Sequence, residues 1–98
     1  MVDAGREYLE KGDVDKAIHT FQEAVNVDSE NGVAYFFLAK ALVQTESYDD
    51  ALGLLDRADE LLNAYPDWHK EVLQLKADIE NFKQNADQQK GTEKGGYY

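Results

Sequence analysis

Cysteine is absent from this chain, which removes disulfides, thiolate nucleophiles and thiolate zinc sites together. Histidine is nearly absent: His19 and His69 are the 2 present, without further ligands at the spacing a metal site needs. Basic charge is scarce as well. With 10 cations against 20 carboxylates the net charge is −10, so a phosphate backbone or an anionic membrane surface would be repelled. No apolar run approaches the roughly 18 residues of a membrane span. The N-terminal MVDAGREYLEKGD lacks the basic-then-apolar layout of a secretory leader. That favours the cytoplasm, although an exported protein relieved of its leader would read the same way. The sequence also contains no P-loop, no G-x-G-x-x-G, no G-x-S-x-G and no D-x-D-x-D-G calcium loop. No catalytic residue, cofactor or metal is therefore expected, and the chain reads as non-enzymatic. The acidic set Asp49, Asp50, Asp56, Asp59 and Glu60 reads as a solvated helix face.

Hydrophobic residues make up 43% of the 98, enough for a packed core in one small domain. They are arranged with a period. Ala17 overlays Ala51, Ile18 overlays Leu52, Phe21 overlays Leu55, Ala24 overlays Ala58 and Val27 overlays Leu61, each pair 34 residues apart. The offset extends upstream, where Gly5 overlays Ala39, Arg6 overlays Lys40, Tyr8 overlays Leu42 and Leu9 overlays Val43. Self-similarity at this length marks stacked helix pairs in which each unit buries its neighbour's apolar face.

The local signals give five helices. The first spans about 2–11 and ends at Gly12, a residue suited to left-handed backbone. The second, about 14–28, is capped by Asp13 and carries Val14, Ala17, Ile18, Phe21, Ala24 and Val25 on one stripe. DSENG is a turn, with Asn31 capping a third helix over about 32–45, and Ser47 caps a fourth over about 48–64. Pro66 suits the first turn of a fifth helix, about 66–84, with a single apolar seam of Trp68, Val72, Leu75, Ile79 and Phe82. Residues 85–98, NADQQKGTEKGGYY, offer glycine and charge and little to bury, and read as a disordered polar tail.

Tyr35-x₂-Leu38-Ala39-x₂-Leu42 followed by Ala51-x₃-Leu55 resembles the tetratricopeptide repeat, as does Ala4-Gly5-x₂-Tyr8 followed by Ala17-x₃-Phe21. The resemblance covers repeats at about 1–31 and 32–65, and the helix at about 66–84 looks like the family's terminal cap. It implies an all-α fold: an α-solenoid of two antiparallel helix pairs plus a fifth capping helix, together forming a domain over 1–84. Gly5, Ala17, Ala24, Ala39, Ala51 and Ala58 are the small residues that let helices approach. HEAT-like and Sel1-like arrays fit the period less well. Ser29 and Asn63 stand where the family usually has proline. Met1 falls about one turn into the first repeat, which suggests a piece of a longer assembly protein.

The resemblance also implies a protein-interaction module that holds a peptide or helix in a concave groove. The groove residues it nominates are Arg6, Leu9, Val33, Phe36, Lys40, Val43 and Gln44, with Val2 and Glu10 beside them. Adjacent helical residues diverge by about 100°, so one of Phe36 and Phe37 faces the core and the repeat frame assigns Phe36 to the groove. Arg6 and Lys40 suit a ligand with an apolar anchor and an acidic group. The family's clamp for chaperone C-termini is not expected, because Val2, Arg6, Phe37, Asp67 and Glu71 occupy its positions. Self-association into a homo-oligomer through Val2 and Leu9 is the alternative.

Overall fold

The computed structural model describes residues 2–95, and side chains over 2–85. Five helices follow one another: α1 (Val2–Glu10), α2 (Val14–Val27), α3 (Gly32–Gln44), α4 (Tyr48–Leu62) and α5 (Pro66–Gly95). α1 packs on α2, α3 on both α2 and α4, and α5 on α4 and α3. The fold is thus an all-α stack of two helix pairs closed by a fifth helix.

The sequence period reappears in the backbone. In the first turn Gly12 N–H donates to Leu9 and Asp13 N–H to Tyr8, at 3.1 and 2.9 Å. In the second, Glu46 N–H donates to Val43 and Ser47 N–H to Leu42, at 3.1 and 3.0 Å. These bonds satisfy carbonyls left open at the helix ends, and they require left-handed backbone at the first donor. Gly12 adopts it at φ 83°, but the same position in the second turn is Glu46, at φ 61°. A side chain there is strained. Replacing Glu46 with glycine should raise stability by about 0.5–1 kcal/mol, read as a higher urea midpoint at unchanged slope.

The expected cap at Asn31 forms, its side-chain oxygen accepting from Ala34 N–H at 3.1 Å. Asp13 and Ser47 precede their helices without capping them through the side chain. Both commit their backbone N–H to the turn bond just described, and Ser47 Oγ lies instead 3.1 Å from Thr45 Oγ1.

Ala17, Ala51, Ala58, Phe21 and Leu55 are fully buried, so the matched small and large positions interlock as the period requires. Gly5 sits so close to Phe21 that a Cβ would overlap the ring. Gly32 opens α3 as expected and is buried, and a Cβ there would lie 2.6 Å from Leu62 Cγ. Val27 breaks the symmetry: it is 74% exposed, whereas its counterpart Leu61 is half-buried.

Pro66 opens α5, where its missing N–H costs nothing. Val72 and Ile79 are fully buried, Trp68 and Leu75 partly so, and Phe82 stacks on Tyr48 with ring centroids 6.1 Å apart. Four of the five acids expected on a solvated face, Asp49, Asp50, Asp56 and Glu60, are exposed and Asp59 is half-buried, and three of the five also reach from α4 to α5. His69 Nδ1 donates to Asp59 at 2.6 Å, Lys76 pairs with Asp56 at 2.8 Å, and Lys83 pairs with Asp49 at 2.9 Å. Partly exposed pairs of this kind contribute little stability each, but their regular descent fixes the antiparallel register. α5 also runs further than the expected end near 84. Its backbone is helical to Gly95, so the tail expected over 85–98 starts inside the helix, and residues 96–98 lie outside those described. Ala, Gln, Lys and Glu in NADQQKGTEK favour helix, and only Gly91 interrupts them.

Candidate functional site

The groove is built around Phe37. Its ring stacks on Phe21, centroids 5.8 Å apart and 19° from parallel, and meets Phe36 and Trp68 edge-on at 5.3 and 6.1 Å. Offset stacking below and edge contacts beside it are the favoured aromatic geometries, so the ring is held from two directions. Two cations cover it. Arg6 Cζ from α1 lies 5.1 Å from the ring centroid, and Lys40 Nζ from α3 lies 6.0 Å from it. Neither cation is in an ion pair among the described residues, although the chain carries 20 carboxylates.

Arg6, Leu9, Glu10, Phe37, Lys40 and Gln44 line a hollow of about 250 Å³ between α1 and α3. A second hollow, about 330 Å³, shares Arg6, Phe37 and Lys40 and reaches α5 at Asp67, Trp68 and Glu71. Together they make one groove, with Arg6 and Lys40 as its cations, Glu10 beside them on α1, and Asp67 and Glu71 on α5.

Five of the nominated residues line it: Arg6, Leu9, Lys40 and Gln44 converge on the α1–α3 half, and Phe36 lies in the α5 half. Phe36 is buried and turns its ring edge-on to Trp68 at 5.5 Å, touching only the α5 half. Val43 is half-buried against the core, and Val33 lines a different hollow near the α2–α3 turn. Phe36, expected in the groove, and Phe37, expected in the core, are both buried, at 4% and 9% exposure, and both line the α5 half; Phe37 alone of the two also floors the α1–α3 half. The signal lay in the spacing, because Phe37, Lys40 and Gln44 stand at i, i+3 and i+7 on one face of α3. Trp68, Asp67 and Glu71 were assigned only to the seam or to a failed clamp, since their approach depends on how α5 is seated.

Among the described residues no group of His, Cys, Asp and Glu is placed to hold a metal, and no helix is long and apolar enough to cross a membrane. On α4, hydrogen bonds from Arg57 to Glu60 and then to Tyr35 push the guanidinium pKa up and keep it charged. A shallow hollow elsewhere is lined by Leu38, Leu42, Asp50, Gly53 and Leu54.

Stacked helix pairs with an open, aromatic-floored groove define a helical-repeat interaction module. The family model for the tetratricopeptide repeat matches residues 8–79, and the chain belongs to that family. No curated protein matches it. Tetratricopeptide repeats generally mediate protein–protein interactions, and the family is typically non-enzymatic.

Proposed function

We propose that this chain binds an extended segment or helix of a protein partner along the groove of α1, α3 and α5. An apolar side chain of the ligand would rest beside Phe37 and Leu9, and an acidic group would reach Arg6 and Lys40. The observation that carries this reading is the pair of cations held near one aromatic ring and in no ion pair among the described residues. Holding them there costs part of their hydration, and an incoming carboxylate in a half-dry groove regains it as charge-assisted hydrogen bonds. Asp67 and Glu71 give the groove a direction. They repel an acid on the α5 side, so the ligand's acidic group lies toward α1 and its polar or basic end toward α5.

An array of extended peptides, each with one leucine or aromatic anchor and an acidic flank, tests this. The best acidic binders should lose more than about tenfold in affinity to the double variant Arg6→Glu, Lys40→Glu. Both side chains are exposed, so the melting temperature should move by only a few degrees. Unchanged affinity in that variant would rule the reading out.

A further inference from the structure

Trp68 also walls a hollow outside the groove, of about 370 Å³, where α2 turns into α3 and α4 turns into α5. Gly32 and Leu62 are buried and form its floor, while Tyr65 stands beside Trp68 as an exposed aromatic wall. Among the described residues its charged lining groups are Asp28 and Glu30. Asp28 accepts the Glu30 backbone N–H at 3.0 Å, but neither carboxylate is in an ion pair among the described residues. The contrast with α4 is informative, since there three aspartates each meet a histidine or lysine of α5. The apolar surroundings are also unusual. Tyr65 is 59% exposed, and Val27, next to Asp28 in the chain, is 74% exposed.

We propose that this hollow receives a lysine or arginine side chain of a protein partner. The alkyl stem would lie on Val33 and Leu61, and the cation would sit against the Tyr65 and Trp68 rings within reach of the Asp28 and Glu30 carboxylates. The ligand's charge follows from the two unpaired carboxylates on a molecule of net charge −10. Its attachment to a polypeptide follows from Val27 and Tyr65, which offer apolar contact beyond what one amine would cover. The site is separate from the groove cations and does not depend on them.

The test uses the full chain and two capped pentapeptides, alanine throughout except for a central lysine or its uncharged isostere norleucine. Amide and indole NMR signals are followed at low salt. The lysine peptide should bind saturably, with a dissociation constant on the order of 1 mM, and shift Glu30, Gly32, Val33, Tyr65 and the Trp68 indole. The norleucine peptide should not reproduce those shifts. Asp28→Asn with Glu30→Lys, which keeps the turn's acceptor, should weaken binding by about tenfold or more, as should Tyr65→Ser. The Arg6→Glu, Lys40→Glu variant should bind as the parent does. Equal shifts with norleucine, unchanged binding in the Asp28/Glu30 variant, or shifts centred outside the hollow would overturn the proposal. So would broadening of these same signals with protein concentration alone, which would seat a second copy there.

Discussion

A chain ended at Tyr65 should fail to melt cooperatively and should bind hydrophobic dyes or aggregate. Removing α5 takes away Val72 and Ile79, whose full burial is worth about 3–6 kcal/mol together, before Trp68 and Leu75 are counted. A domain of this size has only about 5–15 kcal/mol in total. The loss also strips the edge contacts from Phe36 and Phe37 and leaves Asp49, Asp56 and Asp59 without their partners. Crowded carboxylates on α4 would then repel one another, on a helix whose buried face had just been wetted. Circular dichroism with a thermal ramp reads the result. A sharp transition in the truncated chain would show that α5 is an appendage and not the closing element.

Phe21→Ala should cost about 3–5 kcal/mol, a large share of the roughly 5–15 kcal/mol a domain has in total. Phe21 is fully buried, Gly5 approaches its ring too closely to carry a side chain, and Phe37 stacks on it. Its removal therefore opens a cavity that a close-packed pair of helices cannot collapse around. The effect reaches the groove as well, since Phe37 loses the surface it rests on. Urea unfolding measures the first consequence. Val27→Ala is the matched control, because that side chain is 74% exposed and its loss should stay within about 0.5 kcal/mol.

The period of the chain carried most of the architecture. Alanines at 17 and 51 and the aromatic and leucine at 21 and 55 are buried as pairs because stacked identical units must place matched side chains in matched holes. Gly12 and Pro66 were legible for an even simpler reason, since each fits a backbone geometry few residues tolerate. What was not legible depends on three-dimensional approach. Gly32 has the same letters around it whether it serves a turn or makes room for Leu62. Asp13 and Ser47 are good capping residues whose turns are closed by their backbone instead. The partners of Asp49, Asp56 and Asp59 are set only when α5 is seated beside them. Phe36 and Phe37 were separable in principle: Phe37 shares its face with Lys40 and Gln44, whereas Phe36 and Val43 form the neighbouring stripe turned toward α5 and the core.

The groove's chemistry follows from that last distinction. Had Phe36 been the floor, the cations of α1 and α3 would have had no shared platform, and the aromatic surface would have belonged to α5 alone. With Phe37 there, Arg6 and Lys40, one repeat apart in sequence, meet over one ring. The repeat thus delivers two equivalent cations to a single spot, which is how a net-acidic chain can present a local site for an acidic ligand.

Amide chemical-shift mapping with a bound acidic, leucine-anchored peptide tests this most directly. The largest changes should fall on Arg6, Leu9, Phe37, Lys40 and Gln44. Changes centred instead on Leu42, Gly53 and Leu54, with these residues undisturbed, would contradict it.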